Sequence, residues 1–433
     1  MKKIIKIILF SSFFLSVVSV RAQDTLVLTL DEALSYATEH NKTLVNSSYA
    51  IEKSSLKIKE TFAQGLPQVS ATLDYSNFLG AEAELKLSDM APPAVIEFNP
   101  TSSFNLSVSQ LIFSGSYYVG LELSKLSKTI TEQSYQKDEL NVKEQTTQAY
   151  YMVLASEQIL NTMRENRKNM QTIYEKTTNL VNAGMIEETE AKKLSVMITS
   201  VDNAIKQTER QVALGYNLLL LQLGFEENKI LKLATSFSEI AQQNIVPAMA
   251  TETFSIDNNL DYQLLTMQSN IAQQQIRLRQ ANYLPTLAAY FSYTEKLIKP
   301  AFDMTPKNVL GLKLTIPIFS SGMRMNQVQQ ARIDYQISQN TIDLLAEQIS
   351  TQERQLRYNY NNLLEQYYNQ QTNVEIAKEV LEKMNFKFQQ GIVSSLELTS
   401  ANNEYLTAET NYTSILLQLL NAELSLRKIN NKL

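Results

Sequence analysis

The chain has 433 residues, 44% hydrophobic and 19% charged, a balance that excludes wholesale disorder. It holds no cysteine and one histidine, which excludes disulfides, Cys-ligated metals, thiol nucleophiles and a lipid anchor on an N-terminal cysteine. The net charge of −5 argues against nucleic acid as a partner.

Residues 1–22 read as a signal peptide: basic MKKIIK, apolar IILFSSFFLSVVSV, then Val20-Arg21-Ala22 before the cut. A membrane-anchoring helix is the alternative, disfavoured by a short run carrying four serines. Cleavage removes Lys2, Lys3, Lys6 and Arg21, leaving a still more acidic chain. No later segment has eighteen consecutive apolar residues, so the exported chain either stays soluble or enters a membrane as β-strands.

The sequence TLDE predicts a capping box that starts a helix near Thr29. His40, on that helix, reads as a solvated or packed residue with no catalytic set around it. Pro67 stops the helix, and two period-two strands follow at about 67–80 and 101–113. On the first, Val69, Ala71, Leu73 and Tyr75 face one way and Ser70, Thr72, Asp74 and Ser76 the other. On the second, Phe104, Leu106, Val108 and Ile112 oppose serines and Asn105. The proline-containing loop between them reads as an outward connector. A proline-free helix over 116–181 comes next, then the turn Ala183-Gly184-Met185, then a helix opening on Glu187, Glu188, Thr189 and Glu190.

Residues 226–255 form a connecting segment with a weak pattern. Beyond it the plan repeats. Pro285 stops a helix, strands are expected at about 285–296 and 308–319, and Lys313 alternates with Leu312 and Leu314. A long helix over 322–388, the turn Gln390-Gly391-Ile392 and a capping box from Ser394 to Glu397 complete it. Gly184 and Gly391 are 207 residues apart, and Phe113 and Phe319 are 206 apart. The chain is therefore a tandem duplication, about 24–225 and 256–433. Stepping four and three residues from Ile342 to Phe388 meets fourteen positions of which only Glu353 and Gln370 are polar. That period of 3.5 marks helices wound side by side. Rods of this length, about 100 Å, cannot bury themselves around one core.

Strands of ten to fourteen residues fit either a bilayer crossing or a half-buried antiparallel sheet. Four strands cannot close a barrel, and unpaired edge groups in lipid each cost several kcal/mol. If the strands span a membrane, several chains share one barrel.

The opening LTLDEALSYATEHNKTL, the Leu-Pro strand entries, SQLIF and IPIFSSG at strand exits, the turns at Gly184 and Gly391 and the duplication together resemble the TolC-type outer-membrane efflux proteins. The likeness covers nearly all of 24–430. It implies a mainly α fold with a β-barrel portion: a homotrimer whose twelve-stranded barrel sits in Gram-negative outer-membrane lipid above a periplasmic helical tunnel, with 226–255 at its equator. It implies an exit duct for efflux or type I secretion, served by a periplasmic adaptor and an inner-membrane RND, ABC or MFS pump. No cofactor and no chemical step are implied. Carried over by position, Glu190 with Thr189, Phe388 and Glu397 fall at the periplasmic gate. Gly184, Met185, Gly391 and Ile392 fall at the adaptor-docking tip, and Asp74 and Lys313 are pore-lining candidates. Phe388 stands where the family's pattern has tyrosine, Val393 where it has arginine and Ser400 where it has a second acid, which removes the family's hydrogen-bonded lock.

Each site has a bland counterpart. Glu397, and Glu187, Glu188 and Glu190, also suit a helix N-terminus. The glycines also suit helix C-caps. The rival functions are an exported periplasmic coiled-coil adaptor or scaffold and a secreted coiled-coil structural protein.

Overall fold

The computed structural model describes residues 26–85, 94–225, 229–244, 253–299 and 303–433. The expected signal peptide lies outside these residues.

Each repeat is built on one long helix flanked by two shorter ones placed end to end. In the first, Thr29 caps α1 (Leu30–His40) by accepting from the Glu32 N–H, while the Glu32 carboxylate accepts from the Thr29 N–H at 2.8 Å. The helix breaks at Asn41, which caps α2 (Lys42–Ala63) by accepting from the Thr43 N–H at 2.8 Å. After the strands, α3 runs over Gly115–Asn182 and α4 over Glu188–Leu223. The second repeat has α6 (Leu260–Ala281), α7 (Met323–Gln389) and α8 (Ser395–Ile429). Asn41 donates its side-chain amide to Gln222 O at 2.7 Å, at the end of α4. Asn259, the cap of α6, donates to Ile429 O at 3.1 Å, at the end of α8. The same device thus joins α2 to α4 and α6 to α8. At 1.5 Å per residue each joined pair is about 87 Å long, close to the ~100 Å of α3 and α7.

The 3.5-residue seam is where the sequence puts it. All fourteen positions from Ile342 to Phe388 are buried or half-buried, as are Leu398, Ala401, Tyr405 and Ala408 on α8. Its two polar members are satisfied: Glu353 pairs with Arg357, and Gln370 donates to Ala408 O at 3.1 Å.

Between α2 and α3 lie β2 (Gln68–Ser76), a short hairpin β3 (Glu82–Leu85) and β4 (Ala94–Glu97), and β5 (Thr101–Ser114). Between α6 and α7 lie β7 (Thr286–Ile298) and β8 (Asn308–Thr315). The main sheet is antiparallel with order β2-β5-β7-β8. The expected strands at 67–80 and 308–319 are shorter here, and Pro317, which has no N–H to donate, lies just past the end of β8. Ile112 does not join the apolar row: the pairing slips between Leu111 and Phe113, making Ile112 the extra residue of a β-bulge.

The connector has more structure than its sequence suggested. A strand β6 (Leu231–Leu233) pairs in parallel with β1 (Leu26–Leu28), and α5 (Phe237–Asn244) follows it. Leu231, Leu233, Phe237 and Ile240 enter the largest apolar cluster with Ala33, Ala37, Tyr150, Leu219 and Leu420. The core therefore sits at the waist of the rods. His40 is exposed, with its ring stacked on Tyr36 at 4.0 Å.

Candidate functional site

At the tip remote from the sheet, both helical hairpins turn through the same geometry. The Gly184 N–H donates to Val181 O at 2.9 Å and the Met185 N–H to Leu180 O at 2.9 Å. The Gly391 N–H donates to Phe388 O and the Ile392 N–H to Lys387 O, each at 3.0 Å. These are Schellman caps, and both glycines have φ +71°, a conformation L side chains avoid. Capping therefore accounts for the glycines. It does not account for the residues after them: Met185 is 70% and Ile392 69% exposed.

Glu397 is the capping residue its spacing predicts. Its carboxylate accepts from the Ser394 N–H at 2.8 Å and the Ser394 hydroxyl at 3.0 Å, and these bonds hold it below the usual carboxylate range. The first hairpin differs. Glu187, at the N-cap of α4, makes no side-chain cap and instead accepts from the Thr189 hydroxyl at 3.1 Å. Glu190 reaches outward. It pairs with Lys193 at 2.9 Å and accepts from the hydroxyl of Ser395, at the start of α8, at 3.2 Å. Lys193 and then Ser395 hold its carboxyl below the usual range. Glu190 thus links the two hairpins within one chain. The sequence did not single out Ser395 or Lys193; the i,i+3 spacing from Glu190 was the available signal for Lys193, and there was none for Ser395, 205 residues away. Phe388 packs with Ile173, Leu194, Leu381 and Leu398, a hydrocarbon contact in place of a hydroxyl lock.

At the other end, the register sorts the sheet into two faces. Val69, Val108, Phe291 and Leu310 lie in one row, and the next rows on that side hold Leu106 with Tyr293 and, at the outer end, Leu73 and Phe104 with Glu295, which pairs with Lys307 at 2.8 Å. Leu287 and Ala289, opposite Leu314 and Leu312, extend the same face. These side chains stay exposed: Val69 66%, Leu73 67%, Leu310 81% and Leu312 73%. The opposite face carries Ser70, Ser107 and Ser292 in one row, with the Ser70 and Ser107 hydroxyls 2.7 Å apart. Asp74 and Lys313 are both on this polar face, at its two ends.

Over residues 33–224 and 255–432 the chain matches the outer membrane efflux proteins. The chain belongs to that family. Outer membrane protein TolC of Salmonella enteritidis is 25% identical over 300 residues, covering 64% of this chain and 56% of that protein, so the match spans just over half the length of this curated relative. The fold of CusC, whose structures concern transmembrane channel formation, superposes with a TM-score of 0.74 at 18% identity, covering 94% of this chain and 93% of that one. The Campylobacter jejuni CmeC outer membrane channel gives 0.71 at 15% identity, covering 93% and 85%. The family is one of channels. Among the described residues no His/Cys/Asp/Glu group is spaced to hold a metal ion, and no helix is long and apolar enough to cross a membrane.

Proposed function

We propose that three copies of the chain form an outer-membrane channel, the exit duct of a tripartite efflux or type I secretion system. One observation carries this reading: a four-stranded sheet with one mainly apolar face, one mainly hydroxyl face and, among the described residues, two unpaired edges, β2 and β8. Such a sheet cannot sit alone in lipid, where each unpaired N–H or C=O costs several kcal/mol. Pairing β8 of one copy with β2 of the next removes every edge. Two copies give eight strands, a barrel filled by its own side chains; three give twelve and room for a lumen. The apolar face then meets lipid and the hydroxyl face lines the pore, with Asp74 and Lys313 on the wall.

The rods extend into the periplasm. Exposed Ile333, Ile337 and Leu344 on α7, and Leu214, Leu218 and Leu221 on α4, await neighbouring copies along their length. At the tip, Met185 and Ile392 dock a periplasmic adaptor, which joins the duct to an inner-membrane pump. Glu397, Glu190, Thr189 and Phe388 lie at the gate. Conduction is passive, with energy from the pump.

Conductance of the purified full-length protein in planar bilayers tests this. The expected result is discrete channels from a trimer-sized species. A protein that forms no trimer and carries no current would refute the reading.

A further inference from the structure

The charges on the hydroxyl face are few and unevenly placed. Asp74, Ser103 and Lys296 share one row near the outer end. Lys296 also lies 3.5 Å from Asp303. Positive and negative charge therefore meet at that level. Lys313 stands in register with Ala288, which pairs in turn with Leu111, near the helical end. Ala288 and Lys296 are eight residues apart on β7, about 26 Å along the strand. The rows between them hold hydroxyls, amides, Tyr290, Gly311 and Val309, with no charge on that face. Lys313 is exposed and, among the described residues, has no carboxylate within ion-pair distance. Among the described residues Asp74 and Lys313 are the charges of the polar face without an ion-pair partner, and of the two only Lys313 has no opposite charge in its row, in a chain that is acidic overall.

We infer that Lys313 is a specificity-determining residue: in the assembled barrel it forms a cationic band at the inner mouth that favours anions there. The inference rests on the channel reading above. A lysine ring on a neutral, hydroxyl-lined wall attracts anions and repels small cations, and nothing at its level cancels it. Anionic groups on a substrate would be drawn into the barrel from the tunnel, and a cationic solute would meet its main electrostatic barrier at this level. The effect is large only where screening is weak, since the Debye length falls from about 30 Å at 0.01 M salt to about 3 Å at 1 M.

The chain has no cysteine, so Lys313→Cys introduces a unique thiol. Trimers of this variant, of Lys313→Gln and of Lys313→Glu would be compared with the parent in planar bilayers under a KCl gradient centred near 10 mM. The reversal potential should move toward cation selectivity, about twice as far for Lys313→Glu as for Lys313→Gln, because the charge change is twice as large. The shift should vanish near 1 M. A cationic, membrane-impermeant methanethiosulfonate should react with Lys313→Cys and return the potential toward the parent value, and an anionic one should move it further away. A thiol that does not react overturns the placement of Lys313 on the water-filled wall. A thiol that reacts without moving the potential overturns its role in selectivity. Absence of any conductance would instead overturn the channel reading.

Discussion

Two forces act on the Glu397 carboxylate. The cap formed by Ser394 holds its pKa down and keeps it ionised within one chain. Convergence of three such carboxylates on the trimer axis would push in the opposite direction and favour a bound cation. The cap fixes the side chain at the start of α8. Glutamine also serves at this capping position, so Glu397→Gln should leave folding intact while removing three charges. With the ring's charges removed, the concentration of multivalent cation that blocks the channel should rise several-fold. Unchanged block would move Glu397 off the axis. The sequence revealed this cap because it is local. Glu190 with Ser395, and Asn41 with Gln222, were not legible, because each bond joins residues about 200 apart.

Among the elements, the two hairpin turns test the line between folding and docking. An ideal Cβ built on Gly184 or Gly391 meets nothing within 4 Å, so bulk is not excluded by the chain itself. The cost of a side chain there is the left-handed backbone, about 1–2 kcal/mol per turn. That is small beside the seam each hairpin buries, and trimers should persist when either glycine becomes valine. Efflux in cells should nonetheless fall, because the substituted turn crowds the exposed Met185 and Ile392 against an adaptor tip. Efflux assays alongside trimer yield on gels separate the two: loss of trimers would assign the glycines to folding alone. At this scale the 3.5-residue seam and the Leu-Pro strand entries were legible, since both depend only on period and on proline. The break at Asn41 was not, because no glycine or proline marks it, and the tie to Gln222 that accompanies it comes from the other end of the repeat.

Taken whole, the chain leaves large apolar side chains exposed on the sheet face, among them Val69, Leu73, Leu310 and Leu312, and along the rods at Ile333, Ile337 and Leu344, a surface suited to burial against further copies. The protein should fractionate with the outer membrane and run as an oligomer on unheated gels, three times the mass of the boiled chain. Recovery as a soluble periplasmic monomer would refute the assembly. By itself the sequence determined the duplication, the helical rods, the two-faced strands and the capped tips, because periodicity and capping are encoded within one or two turns of chain. Only the tertiary structure decided the strand order β2-β5-β7-β8, the end-to-end joining of α2 to α4 and α6 to α8, the folding of the connector into the waist, and the Glu190–Ser395 link. Each of these is a contact between segments far apart in the chain, where many pairings satisfy the same local pattern and packing selects one.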